Sequence, residues 1–449
     1  MQPETTEGDV NLSPARAAWT ERLGPEIRAL LDEDARWFLH QSLSTPCLDV
    51  LERTEGPWLI DTEGRRFLDF HGNSVHQLGH GHPRVVQAIK DTLDVLPFSP
   101  RRYTNRLAID LARRLAEAAP GDLAKVLFAP SGTAAIGMAL KLVRYATGRH
   151  KTVSMWDSFH GASLDAISVG GEALFRQGVG PLLPGTEHVP PPTRGRCRFG
   201  CTDAAHTNCT DYLDYVLAVQ GDVAAVIAEP MRWTTVEPAP EGYWQRVRAS
   251  CDRHGALLVF DEIPSCMGRT GTLFATEQTG CVPDILVVGK GLGGGVFPMA
   301  AMIARADLDR LGDRALGHYT HEKSSLGCAA ALAALDVIEE ESLCARARDL
   351  GARATAALEA LRPRHPCIHE IRGQGLMLGV ELRLPDGRPA TALADRVLYA
   401  ALERGLSFKV GGGCVLTLCP PLTIAESDLD AAIAILDESL AAATASPSA

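Results

Sequence analysis

Three short apolar runs in the middle of the chain limit its fold more than any other feature. They read "VAAVIAEP" (223–230), "ALLVFDEI" (256–263) and "DILVVGK" (284–290). Each is apolar throughout and too short for a helix, as expected of an interior strand. Stretches of helical period separate them. In "NRLAIDLARRLAEAAP", Leu107, Leu111 and Leu115 recur every four residues, and "KVLFAP" leads straight into "SGTAAIGMALKLVRYATG". Strands that alternate with helices call for an α/β domain built on a mostly parallel sheet between helices.

The flanking sequence is of another kind. Residues up to about 45 are polar and helix-prone, an arm over the surface or over a partner subunit. "GPWLIDTEGRRFLDF" reads as a hairpin, with Trp58–Asp61 and Arg66–Phe70 on either side of a Thr62-Glu63-Gly64 turn. "HGNSVHQLGHGHP" holds too much Gly, His and Asn for a regular element and reads as a site-lining loop. Past residue 335, helices mix with short strands such as "GLMLGVEL" and "CVLTLCPP". The expected layout is an arm and hairpin over 1–70, a large α/β domain over 71–335 and a small α+β domain over 336–449, which the hairpin joins.

A net charge of −11, with no block of Lys or Arg, argues against nucleic acid or an anionic membrane face as partner. No apolar run has the length of a membrane span. The start, "MQPETTEGDVNLSPA", lacks the basic-then-apolar pattern of a leader. A cytoplasmic protein is expected, with its twelve cysteines reduced. Four metal-ligating side chains, Cys197, Cys201, His206 and Cys209, fall within "CRFGCTDAAHTNC". They lack the CxxC spacing of common zinc knuckles, so the expected reading is a loop of small apolar side chains with no metal.

The chemistry collects where strands end, at the edge where open α/β sheets bind ligands. "FAPSGTAA" turns from strand to helix through Ser131, Gly132 and Thr133, and a helix N-terminus with hydroxyls beside it is a phosphate cradle as well as a good cap. "DSFHGAS" puts Phe159 and His160 after the strand "KTVSMW". Asp261 closes one apolar run and Lys290 the next, with glycines beside the lysine to admit a flat ligand. A phosphate cradle, an aromatic face, an acid and a lysine are the requirements of pyridoxal 5'-phosphate: its aldehyde takes a lysine, and its pyridine nitrogen takes an acid.

With these pieces in order, the chain resembles the class III, fold-type I, pyridoxal-phosphate-dependent aminotransferases from about Gly56 to Leu436. The matching segments are "GHGHP", "SGTAA", "FHGAS", "AEP", "DEIPSCMGRTG", "PDILVVGKGLGGG" and "RGQGLMLGVEL". The resemblance implies a large PLP-binding domain with a smaller α+β domain. It makes Lys290 the lysine that bonds the cofactor and shuttles protons, and Asp261 the partner of the ring nitrogen. Ser131, Gly132 and Thr133 would hold the phosphate, with Phe159 and His160 beside the ring. Thr320, in "HYTHEKSS", stands where a neighbouring subunit completes the phosphate site, so a homodimer or a dimer of dimers is implied.

The departures from the family pattern are specific. The usual "DEVQTG" is "DEIPSC", so Pro264 replaces a glutamine that donates a hydrogen bond. In place of the glutamates of "SGTEAVE" stand Ala134 and Gly137. An arginine usually precedes "PPL" and grips an α-carboxylate; here that place is Thr417, which has no planar two-donor fork. Arg102, Arg232 and Lys409, in segments that line the site in relatives, are the candidates to bind a phosphonate or phosphate instead. The pattern resembles a lyase branch of the family that releases ammonia from a small hydroxy-amino phosphonate. An ω-aminotransferase passing its amino group to a 2-oxo acid shares every cofactor residue and stays as the alternative. A catalytically silent binding protein fits less well, since Lys290 and Asp261 are both kept.

Overall fold

The computed structural model describes residues 12–42, 44–193, 197–202 and 207–445. The chain divides into two compact units, one of Met1–Gly81, Thr234–Val236 and Arg348–Ala449, the other of His82–Trp233 and Glu237–Ala347. The changeovers expected near residues 70 and 335 thus lie at Gly81 and Ala347. The reason is local bonding. Cys419 N donates to Phe70 O at 2.7 Å and Leu422 N to Gln77 O at 2.7 Å, which holds the loop after the hairpin to the first unit. At the other end, Arg84 pairs with Glu340 at 2.6 Å, and Arg114 bonds Asp336, so helix Ser325–Glu340 stays with helices Pro83–Val95 and Arg106–Ala118 of the second.

The second unit is built on a seven-stranded sheet. In spatial order its strands are Leu123–Ala129, Ala300–Arg305, Ile285–Val288, Leu257–Asp261, Val223–Ala228, Lys151–Met155 and Thr186–Val189. Only Ala300–Arg305 runs against its neighbours. The three apolar runs are its central parallel strands, with Val259 opposite Ile285 and Ile227, and every residue of Val223–Ala228 and Ile285–Val288 is buried. Continuous apolarity therefore follows from cover on both faces. Because six strands run the same way, Asp261 and the residues after Ala129, Met155, Ala228 and Val288 come to one edge.

Local signals set the helix ends. Asn105 caps Arg106–Ala118, its side-chain oxygen accepting from Ala108 N at 2.9 Å, a contribution of about 1 kcal/mol. Helix Gly132–Thr147 starts at Ser131 and stops at Gly148, which takes the left-handed conformation at φ +66°.

The first unit holds two four-stranded sheets. One contains the expected hairpin, Trp58–Asp61 with Arg66–Asp69, edged by Leu51–Glu55 and Leu406–Ser407. The other orders Ile368–Gln374, Met377–Leu382, Val415–Leu418 and Lys409–Gly411, all antiparallel. Its last pair sets Lys409 directly opposite Thr417. Among the described residues no helix is long and apolar enough to cross a membrane.

Candidate active site

A cavity of about 280 Å³ opens at the carboxyl edge of the large sheet. Gly132, Thr133, Phe159, His160, Asp261 and Lys290 all line it, together with Glu229, Trp233 and Pro264. Residues as far apart in sequence as Gly132 and Lys290 are brought together because the six strands that run the same way end at one edge of the sheet.

Asp261 is 1% exposed and fully engaged. His160 Nδ1 donates to its Oδ2 at 2.8 Å, and Ile263 N donates to Oδ1 at 3.1 Å. A carboxylate only accepts, so Nδ1 carries the imidazole proton. On the far side of the ring, Nε2 lies 3.4 Å from Ser154 Oγ. The imidazole thus fixes the carboxylate's plane and shields it from water.

Lys290 follows the buried strand Ile285–Val288 in the left-handed region, at φ +45°. A non-glycine residue held there carries strain of about 1–3 kcal/mol, which the surrounding structure must impose. Its Nζ stands 5.0 Å from the centre of the Trp233 ring, a cation–π contact. The glycine run after it serves packing, since a Cβ on Gly294 would come within 2.8 Å of Val85 Cγ1.

At the helix start the first amides have no acceptor within the helix. Ser131 Oγ takes the Ala134 amide at 3.3 Å, leaving Gly132 and Thr133 at the cavity wall, where the helix dipole favours an anion. A Cβ on Gly132 would sit 2.6 Å from Ile263 Cδ1, so a larger residue there would have to push the Ile263 side chain aside. Thr133 Oγ1 bonds Ser163 Oγ at 2.7 Å, and Ser163 in turn donates to Asp165. Gly137 accommodates that acid, since a Cβ there would meet Asp165 Oδ2 at 2.6 Å. The Asp165 carboxylate thus occupies space that a side chain at position 137 would need.

Two lining residues escaped the sequence reading. Glu229, 4% exposed, accepts the Trp233 amide at 2.7 Å and the Phe159 amide at 3.4 Å, tying together the two segments that bring aromatic rings to the cavity. Burial pushes its carboxyl up from the ordinary value, and Asp261 nearby adds to the rise. The signal was present, because Glu229 is the first polar residue after an apolar run, as Asp261 and Lys290 are. Trp233 follows four residues later.

The other sequence candidates lie elsewhere. Arg232 is 5% exposed, and its charge is used on Glu237, 3.5 Å away. Arg102 and Thr320 are exposed on turns and do not line this chain's cavity. Lys409 belongs to the first unit, where it faces Thr417 across the strand pair. Thr417 is 1% exposed, and its hydroxyl oxygen has no hydrogen-bond partner.

Residues 40–440 match the family described as aminotransferase class-III. The chain belongs to this family. It is 46% identical to the (R)-1-hydroxy-2-aminoethylphosphonate ammonia-lyase of Vibrio splendidus, over 97% of this chain and 95% of that protein. It is 38% identical to the acetylornithine aminotransferase of Methanopyrus kandleri, over 86% and 93%. A solved PLP-bound amine transaminase from an uncultivated Pseudomonas species superposes with TM-score 0.83 at 31% identity, covering 90% of this chain and 98% of that one. The fold is therefore that of the family, as the resemblance implied.

Proposed function

We propose that the chain is a pyridoxal-phosphate-dependent ammonia-lyase that converts (R)-1-hydroxy-2-aminoethylphosphonate to phosphonoacetaldehyde and ammonia. The observation that carries this reading is the end-to-end identity of 46% with the Vibrio splendidus lyase. The cavity fits the cofactor. The amides of Gly132 and Thr133 suit its phosphate, Phe159 and Trp233 offer aromatic surface to its ring, Asp261 suits its ring nitrogen, and Lys290 is the one amine among the lining side chains.

When bound, the cofactor supplies an aldehyde for an amine and an electron sink for the carbon next to it. The rest belongs to the protein. Asp261, oriented by His160, keeps a negative charge under the ring nitrogen. Lys290 Nζ takes the proton from the amine-bearing carbon and holds it over Trp233. Departure of the neighbouring hydroxyl, rather than return of the proton to the cofactor, separates a lyase from a transaminase. The hydroxyl leaves as water and a second water hydrolyses the enamine that remains, so the net reaction is substrate to phosphonoacetaldehyde plus ammonia with no oxidant or second substrate consumed.

Thr417 lacks the fork that grips an α-carboxylate, in keeping with a substrate that carries a phosphonate in its place. Thr320 acts on the cavity of a neighbouring copy, so the working form is at least a homodimer. The deciding experiment supplies the phosphonate to the cofactor-loaded protein with no 2-oxo acid present. Sustained release of ammonia and aldehyde is expected. Turnover of amines only after pyruvate is added would establish the ω-aminotransferase instead.

A further inference from the structure

We propose a second site, unconnected with the reaction, in which Cys197, Cys201 and Cys209 bind a zinc ion. It lies in the connection between strand Thr186–Val189 and helix Thr207–Gln220. The Cys209 sulfur stands 3.0 Å from that of Cys197 and 3.5 Å from that of Cys201, and all three sulfurs lie within 4.8 Å of one another. Tetrahedral zinc with bonds of about 2.3 Å holds its sulfurs about 3.8 Å apart. The three sulfurs already cluster at that scale around one point.

Two further features suit thiolates. Phe199 N donates to Cys197 Sγ at 3.4 Å, within a turn closed by Gly200 N to Cys197 O at 3.1 Å, with Gly200 at φ +64°. An amide directed at sulfur stabilises its negative charge. Cys209 sits in the first turn of its helix, where the dipole does the same. A disulfide accounts for the geometry less well, because it would use two sulfurs and leave the third in the same cluster. Soft thiolate ligands select zinc over calcium or magnesium. The spacing in sequence argued against this reading; the distances in space argue for it. His206 lies outside the described residues and is not part of the proposal.

On binding, three S–H bonds are exchanged for three Zn–S bonds and up to three protons are released, so uptake is pH-dependent. The fourth position is left to a water or another donor. The ion would close the long connection as a staple, without touching the cofactor cavity.

The test uses the full-length, cofactor-loaded protein. Elemental analysis should find about one zinc per chain. Cobalt exchanged for it should give intense visible bands of a tetrahedral site and a thiolate-to-cobalt charge-transfer band. Cys201→Ser, at a half-buried position, should lose the metal and the charge-transfer band while keeping the cofactor's absorbance. Zinc-free protein whose three thiols react with a thiol reagent would overturn the proposal, as would a mass two hydrogens low from a disulfide. Unaltered zinc content in both Cys201→Ser and Cys197→Ser would overturn it too.

Discussion

Replacing Asp261 with asparagine separates chemistry from folding at this site. The side chain is 1% exposed, with Oδ2 on His160 Nδ1 at 2.8 Å and Oδ1 on Ile263 N at 3.1 Å. Asparagine has the same shape, and its oxygen can keep the Ile263 amide. Its NH₂ group then meets His160 Nδ1, which becomes an acceptor if the imidazole proton moves to Nε2, toward Ser154 Oγ 3.4 Å away. The fold exchanges a charge-assisted hydrogen bond for a neutral one, a loss of about 1 kcal/mol. The reaction loses more. Removing one charge from a buried ion pair costs about 3–5 kcal/mol. At about 1.4 kcal/mol per tenfold, kcat should fall roughly 10²- to 10⁴-fold. KM should change little, because the lost partner belongs to the cofactor and not to the substrate. The assay is ammonia release from the phosphonate, with cofactor absorbance and melting temperature measured on the same sample. A cofactor-loaded Asp261→Asn protein with kcat within tenfold of wild type would refute the assignment of Asp261 to the ring nitrogen.

Other perturbations reach the remaining parts. Gly161→Ala forces a side chain into backbone at φ +127° and places its Cβ 2.4 Å from Thr133 Oγ1. Cofactor affinity should drop at least tenfold by titration, and wild-type affinity would show that the Thr133–Ser163 contact does not matter to the cradle. Glu262 sets a pH dependence of stability. It is 0% exposed, and burial lifts its carboxyl from 4.5 to about 7, against the lowering effect of the bonds it accepts from Thr276 and Ala275. The folded chain therefore keeps a proton that the unfolded chain has already released. This contribution is complete below pH 4.5 and is lost as the pH rises through about 7. Relative to Glu262→Gln, wild type should lose on the order of 3 kcal/mol between pH 4 and pH 8 in denaturant titrations. A gap constant with pH would refute it.

What could be read in the sequence followed from strand direction. A parallel sheet delivers the ends of its strands to one edge, so a polar residue after a continuous apolar run is bound for the crevice, whatever its distance in sequence. Asp261 and Lys290 were found by that rule. Glu229, the first polar residue after the strand Val223–Ala228, obeys it equally. Arg232 shows where the rule stops. It stands four residues past Ala228, the end of that strand, but a two-residue ribbon registers it opposite Glu237, and its charge is used there and not in the cavity. Nothing in the spacing distinguishes a charge turned to a ligand from one turned to a neighbour. Position 137 makes the converse point. The Asp165 carboxylate, 28 residues later in sequence, takes the space that a side chain at position 137 would need, and no spacing in the sequence shows that the two positions meet. Thr417 and Lys409 belong to a third kind. Their strand pairing became visible only when the order of the small sheet was known, and it turns two separate sequence oddities into one: an arginine lost from one strand faces a lysine on the next. Residue type along the chain thus locates the edge of the sheet where chemistry occurs. Which charges remain available there is decided by pairing across strands, and that is a property of the folded chain alone.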